Sequence, residues 1–203
     1  MSEPAAAIDV HITDSLSGLE VNQLARARRL ADVGAGAGFP GLALAIALPQ
    51  AQVDLIESAG RKTAVVGRLA QAAKIDNARA VTARAEEWAA TPAALGGGAG
   101  AYDAVTARAV AALAVLVEYA APLLRPDGVL VAWKGARARD EEEAGARAAA
   151  SVGLEPVEVR HVVPFEGARD RHLHVFCKVS PTPERFPRRP GMAEKRPLGT
   201  VRD

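Results

Sequence analysis

Short apolar runs alternate with longer helical patterns along most of the chain. Runs typical of buried strands occupy residues 29–33, 53–56, 78–82, 102–107 and 129–133. Helical patterns follow at residues 42–48, 60–74, 111–124 and 137–150, with a turn signal at 126–128. Two further runs, residues 156–163 and 172–179, are joined by a short charged turn. The pattern predicts an α/β fold with a doubly wound, mostly parallel sheet and one reversed strand near the C-terminus.

The same pattern gives two more local predictions. In the helix over residues 60–74, Val65 and Leu69 lie on one apolar face together with Ala72 and Ala73. Residues 84–88 follow the third strand and are expected to form a loop. If the order of strands and helices continues, that loop is where the adenine of a nucleotide cofactor would be contacted.

Changes in composition divide the 203 residues into three regions. Residues 1–28 form a short polar leader, and residues 29–180 form one α/β domain, for which the length is sufficient. Residues 181–203 contain five prolines and mostly basic charges, so we expect an extended arm rather than a packed element. This arm is either solvated or in contact with phosphates. Alternatively, it folds back on the domain.

Overall composition is that of an ordinary globular protein, with 49% hydrophobic and 24% charged residues and a net charge of +1. No apolar run approaches the length of a membrane span, and the first residues lack the apolar core of a signal peptide. The lone Cys177 excludes an internal disulfide. We therefore expect a cytoplasmic protein.

A glycine-rich stretch at residues 30–41 joins the first strand to the first helix. Gly34, Gly36, Gly38 and Gly41 fall within eight positions, and Pro40 lies in the first turn of the helix. Glycines serve where the backbone must adopt positive φ or touch a ligand directly, and free amides at a helix start favour electron-rich groups. The stretch predicts a loop that binds a nucleotide-type cofactor.

Three ligand assignments for this loop can be compared. A P-loop requires Gly-Lys-Ser/Thr, which is absent. A dinucleotide loop fits G-x-G-x-x-G, with Glu57 lying 21 residues after Gly36. S-adenosylmethionine fits better, because the Asp32 carboxylate would repel a pyrophosphate but attract an ammonium and a sulfonium. A glycine turn without any ligand is the remaining alternative.

Polar features recur where the predicted strands end, and those ends meet at one edge of a parallel sheet, where ligands bind. Glu57 is placed to accept the hydroxyls of a ribose, and the early carboxylates suit a cationic cofactor. Arg108 and Lys134 suit an anionic partner and are the candidate catalytic residues. In chain order the strand ends carry Asp32 with the glycines, Glu57, Ala85 and Glu86, Arg108, and Lys134.

Other chemistry finds little support in the sequence. His172 and His174 share one strand face without a third ligand, so we expect no metal site. No Ser/His/Asp or Cys/His set has supporting context. The acidic run at residues 141–143 is expected to be a solvated helix face.

Six motifs stand in an order that resembles the glucose-inhibited division protein B family (RsmG). They are Asp-Val-Gly-Ala-Gly-Ala-Gly-Phe-Pro-Gly from residue 32, Arg-Ala-Glu-Glu from 84, Val-Thr-Ala-Arg-Ala from 105, Trp-Lys-Gly from 133, Arg-His-Leu from 171, and Phe-Pro-Arg-Arg-Pro-Gly from 186. The resemblance implies the fold of class I methyltransferases. It further implies methylation of N7 of a guanine in bacterial small-subunit (16S) ribosomal RNA.

By this resemblance, five residues bind S-adenosyl-L-methionine: Gly34, Phe39, Ala85, Glu86 and Arg108. The implied partner is ribosomal RNA or the small ribosomal subunit particle, without membrane or metal, and we expect a monomer. Guanine N7 has no proton to lose, which agrees with a site that lacks a catalytic His or Cys. An NAD-binding oxidoreductase, a methyltransferase with another substrate and a non-catalytic RNA-binding module on the same fold are the alternatives.

Overall fold

A computed structural model describes residues 8–200 and contains a single sheet of seven strands. The strands are β1 (Arg29–Val33), β2 (Gln52–Glu57), β3 (Ala78–Thr82), β4 (Tyr102–Arg108), β5 (Leu124–Lys134), β6 (Leu154–Val162) and β7 (Arg171–Lys178). Their order is β3-β2-β1-β4-β5-β7-β6. Strands β1 to β5 are mutually parallel, and β7 runs antiparallel to both of its neighbours. The predicted doubly wound sheet with one reversed strand is confirmed.

Helices cover both faces of this sheet. They are α1 (Gly41–Ala47), α2 (Gly60–Ala72), α3 (Ala85–Ala90), α4 (Leu113–Ala120), α5 (Arg139–Val152) and α6 (Met192–Lys195). An N-terminal segment of short helical turns, residues 8–25, packs with α1 and α2 on one face, and α3, α4 and α5 pack on the other. Because successive strand residues point to opposite faces, Leu30 and Ala31 belong to different cores.

Helix α2 buries a different face from the predicted one. Val66 and Ala70 are buried against the sheet, whereas Val65 and Leu69 are 42% and 46% exposed. The helix carries two neighbouring apolar stripes, and periodicity alone does not decide which of them faces the core.

Two predicted irregular segments are part of regular elements. The residues expected to form a loop after β3 instead begin α3, where the Glu87 carboxylate accepts a hydrogen bond from the Arg84 amide at 3.2 Å. The turn signal at residues 126–128 lies inside β5. There the pairing with β4 shifts register between Tyr102 and Ala104, and Asp127 has φ of 63°. The turn residues at 126–128 therefore mark an irregularity within β5, not the point at which the strand begins.

Residues 181–200 pack on the domain, so the prediction of an extended arm is wrong for the part of the tail that the structure describes. Phe186 and Ala193 are buried in the core that α3, α4 and α5 form. The Arg188 guanidinium makes two hydrogen bonds of 2.6 and 2.5 Å to the carboxylate of Glu118, which is 2% exposed. Because the tail is rich in proline and charged residues, its composition gives no sign of these few anchoring residues.

Within residues 8–200, no helix combines the length and apolar character needed to cross a bilayer.

Replacing Arg188 by Met should destabilise the fold, because it leaves the Glu118 carboxylate buried without its partner. We expect a loss of about 3 kcal/mol in the free energy of unfolding, measured by urea denaturation. The double variant Glu118→Leu/Arg188→Met should recover most of this loss. Arg189→Met, at the exposed neighbouring position, serves as the matched control. Equal stability of the Arg188 and Arg189 variants would contradict the anchoring role.

Candidate active site

Two cavities lie beyond the carboxyl ends of the parallel strands, and they divide the predicted site residues between them. The acidic cleft, of about 90 Å³, is lined at the ends of β1 to β3 by Gly34, Glu57, Arg84, Ala85 and Glu86, and opposite them by Tyr119 and Glu194. The basic cavity, of about 530 Å³, lies at the ends of β4 and β5 and is lined by His11, Asp14, Arg108, Trp133, Lys134 and Arg171. The two cavities are neighbours, so we describe them as two parts of one extended site.

Asp32 lies beneath the glycine loop. Its side chain is almost fully buried, its Oδ2 accepts a hydrogen bond from the Gly41 amide at 2.9 Å, and its Oδ1 accepts one from the Thr106 hydroxyl at 2.9 Å. A Cβ at Gly41 would come within 2.1 Å of Leu55 and 2.8 Å of the Asp32 carboxylate, so only glycine allows α1 to begin there. The structure therefore places Asp32 where it positions the loop, and Asp32 does not line either cavity.

Burial raises the pKa of Asp32 to about 7, because desolvation penalises the charged form. The hydrogen bonds from Thr106 and Gly41 and the charge of Arg108 act in the opposite direction but only partly offset the burial. A carboxyl group with this pKa changes its protonation state near neutral pH.

Glu57 closes β2 and lines the acidic cleft. One carboxylate oxygen accepts from the Gly36 amide at 3.1 Å, and the other accepts from the Ala59 amide at 2.9 Å. Gly34 and Gly36 have φ of 69° and 55°, a conformation that favours glycine. The loop and Glu57 therefore hold one another in place at the edge of the cleft.

The opposite wall of the acidic cleft comes from the C-terminal tail. Glu86 is buried, and its Oε1 accepts a hydrogen bond from the Gly191 amide at 2.8 Å. The Tyr119 hydroxyl donates to Glu194 at 3.1 Å. The sequence gives no signal for Tyr119 and Glu194 as cleft residues, because nothing in the local pattern places α4 and the tail beside the start of α3.

Val110 links the two cavities, since its side chain lines both of them. A Cβ on Gly34 would lie 2.6 Å from a methyl group of Val110, so the bare backbone of Gly34 lets the loop after β4 approach the glycine loop. A ligand in the acidic cleft and another in the basic cavity would meet at this side chain.

Arg108 is held by the N-terminal segment. Its guanidinium donates to the Asp14 carboxylate at 2.8 Å and to the carbonyl oxygens of Val10 and His11 at 3.2 and 3.4 Å. It also lies 5.7 Å from the centre of the Phe39 ring, on which the His11 ring stacks. The Arg108 guanidinium is therefore an ion-pair partner of Asp14.

Lys134 is also paired. Its Nζ lies 2.6 Å from Glu141 and donates to the carbonyl of Ala111 at 3.3 Å. Glu141 in turn accepts from the Leu113 amide, at the start of α4, at 3.0 Å. The prediction that residues 141–143 form a solvated face is therefore wrong at Glu141. This carboxylate ties α5 to α4 and to the end of β5.

The remaining predicted residues fall into two groups. Gly34, Ala85 and Glu86 line the acidic cleft, whereas Gly36, Gly38 and Phe39 lie in the loop behind it. Asp14 and Arg171 line the basic cavity, but sequence reasoning did not select them. Arg171 belongs to the Arg-His-Leu motif of the family resemblance, whereas Asp14 lies in none of the six motifs. Among residues 8–200 there is no group of three or more His, Cys, Asp or Glu side chains placed to hold a metal ion.

A family model and the curated relatives that match this chain point to the same family. The family model described as rRNA small subunit methyltransferase G matches residues 1–174. Ribosomal RNA small subunit methyltransferase G of Desulfitobacterium hafniense (strain Y51) is 36% identical over 198 residues, which cover 98% of this chain and 80% of the relative. The protein of the same name from Rubrobacter xylanophilus is 40% identical over 199 residues, 97% of this chain and 75% of the relative.

Solved structures agree on the fold. Mitomycin 7-O-methyltransferase MmcR superposes with a TM-score of 0.65 at 14% identity, over 83% of this chain and 54% of that one. At this level of identity the likeness concerns the architecture alone, and it is the architecture of class I methyltransferases.

The raised pKa of Asp32 predicts a pH-dependent contribution to stability. The folded state binds a proton more tightly than the unfolded state, so this contribution is complete at low pH and is lost as pH rises towards 7. In Asp32→Asn the carboxamide can keep partners at Gly41 and Thr106 without titrating. The free energy of unfolding of the wild type, minus that of Asp32→Asn, should fall by on the order of 2 kcal/mol between pH 5 and pH 7. Denaturant titrations across this range test it, and a constant difference would contradict it.

Proposed function

Because the chain belongs to the rRNA small subunit methyltransferase G family, we propose that it methylates N7 of a guanine in 16S ribosomal RNA and takes the methyl group from S-adenosyl-L-methionine. The observation that carries this proposal is the junction of two cavities of opposite character at Val110. One suits a cationic cofactor and the other suits a nucleotide.

The acidic cleft fits S-adenosylmethionine by its chemistry. Glu57, Glu86 and Glu194 line it, and a cluster of carboxylates favours a ligand with an ammonium, an amino group and hydroxyls over a pyrophosphate. The glycine loop leaves bare backbone along one side of the cleft. When bound, the cofactor supplies an electrophilic methyl group on a sulfonium. Asp32 contributes indirectly, since it fixes the start of α1 and hence the loop.

The chain needs no general base for this reaction, because guanine N7 offers a lone pair and has no proton to remove. Its residues have to align the base with the methyl group and exclude other orientations, and alignment of this kind accounts for large rate enhancements. We propose that Arg108 and Lys134 act here by holding the N-terminal segment and the loop after β4 around the basic cavity. The target base must be unstacked to enter.

Ribosomal RNA, free or in the small ribosomal subunit particle, is the proposed partner. Arg171 at the basic cavity and the exposed tail residues Arg185, Arg189, Lys195 and Arg196 supply positive charge for phosphates. Arg188 is not part of this set, since it pairs with Glu118. The substrate is a component of the bacterial cytoplasm, where we expect the protein to act.

The proposed reaction can be tested in cells and with purified components. N7-methylguanine should be present at one position of 16S ribosomal RNA when the gene is intact and absent when it is deleted. The purified protein with labelled S-adenosylmethionine should restore the mark on RNA or subunits from the deletion strain. Identical methylation maps in both strains would overturn the proposal.

Gly36→Val should abolish binding of S-adenosylmethionine. Gly36 has φ of 55°, which a β-branched side chain strongly disfavours, and its Cβ would project into space now free of close contacts. We expect affinity to fall at least about a hundredfold by calorimetry, because the loop must distort or the ligand must be displaced. Gly67→Val, within α2, is the control, because a Cβ added at Gly67 would lie 3.9 Å from its nearest neighbour, Ala80. Wild-type affinity in Gly36→Val would show that the loop does not contact the cofactor.

A further inference from the structure

Asp14 is the single acidic residue in the lining of the basic cavity, as far as residues 8–200 show. Its side chain is 8% exposed. One carboxylate oxygen, Oδ2, accepts from Arg108 at 2.8 Å. The other, Oδ1, is buried and has no hydrogen-bond partner among the described residues; Arg171 Nε is 3.7 Å away. A buried charged acceptor without a donor is costly, so this oxygen is a feature that a bound ligand can satisfy.

Asp14 is held both at its main chain and at its side chain. The Trp133 indole donates to the carbonyl oxygen of Asp14 at 2.9 Å, and the Ser17 hydroxyl donates to the same oxygen at 2.7 Å. Arg108 holds the side chain itself. The free lone pairs of the carboxylate are therefore directed before any ligand arrives, which lowers the cost of binding one. Arg171 is 40% exposed and can move aside for a stronger donor.

The donor pattern that suits this acceptor is found on guanine. Its Watson–Crick edge presents N1–H and the N2 amino group, which are adjacent donors, and this edge lies across the base from N7. A base with N7 turned towards the cofactor therefore presents those donors to the far side of its cavity. Adenine presents an acceptor at N1, which a carboxylate, itself only an acceptor, repels. Flipped bases are commonly recognised along this edge.

Resting on the function proposed above, we infer that Asp14 is the residue that selects guanine. Its Oδ1 accepts from the N2 amino group of the target base, and its Oδ2 shares a second lone pair with N1–H. Pairing with Arg108 keeps the carboxylate in place for this contact. The alternative role for Asp14 is that of an ion-pair partner of Arg108 that only anchors the N-terminal segment.

Inosine at the target position separates these roles, because it lacks only the N2 amino group and keeps N7. The probe is ligated 16S ribosomal RNA with guanine or inosine at the mapped position. Wild-type protein should methylate the inosine substrate with a kcat/KM at least about tenfold lower, the effect of one charge-assisted hydrogen bond. A ratio near one in the wild type would overturn the inference without any variant.

Asp14→Asn provides the second arm. A carboxamide has one acceptor atom. It can accept from N1–H, which inosine and guanine share, and it has no second acceptor for the N2 amino group of guanine. The guanine-to-inosine ratio should fall to within about twofold of unity, because the discriminating acceptor is gone. A purely structural Asp14 would lower kcat/KM for both substrates by the same factor and leave the ratio unchanged, which would contradict the inference.

Asp103→Asn is the matched control. Asp103 pairs with Arg125 and accepts from the backbone amides of Arg28 and Arg29. These contacts lie at the amino ends of β1 and β4, away from the basic cavity, so this variant should keep the wild-type ratio. The outcomes also distinguish the two proposals. Absence of N7 methylation by the wild type refutes the proposed function, whereas methylation of both substrates at equal rates refutes only the role of Asp14.

Discussion

The rest of the site depends on the two hydrogen bonds that the buried carboxyl group of Asp32 accepts. This carboxyl group connects the end of β1 to the first turn of α1 through Gly41 and to β4 through Thr106. A single buried group thus sets the distance between the glycine loop and the strand that carries Arg108. Because both oxygens are used inside the fold, the acidity of this residue acts on the ligand only through the shape it gives the loop.

The N-terminal segment of residues 8–25 and the tail of residues 181–200 are held beside the site by the same means. The N-terminal segment is held through Asp14 and Arg108, and the tail is held through Glu118 and Arg188. In each pair the carboxylate is almost fully buried, and the guanidinium contributes two or more hydrogen bonds. Pairs of this type contribute little net stability compared with apolar packing, but they specify one arrangement strongly, since breaking them leaves a buried charge.

Most of the sheet could be predicted from the sequence, because alternation of apolar runs and helical patterns has few solutions. β1 and β3 have the predicted bounds, and the strand ends bring Glu57, Arg108 and Lys134 to one edge. Asp14 and the tail could not be assigned to the site, because their places depend on contacts with residues about a hundred positions away. The burial of Asp32 could not be predicted either, because a carboxylate at a strand end can face a ligand or the interior, and only packing decides between them.

The hydrogen bond from the Gly191 amide to Glu86 joins a late part of the chain to the wall of the acidic cleft. Protein synthesis proceeds from the N-terminus, and domains begin to fold while the chain is still being made. All seven strands therefore leave the ribosome before the segment that completes this wall. A chain interrupted after β7 contains the sequence of every strand but lacks Gly191, which completes the wall of the cleft. The order of synthesis thus makes the acidic cleft one of the last features of the site to be completed.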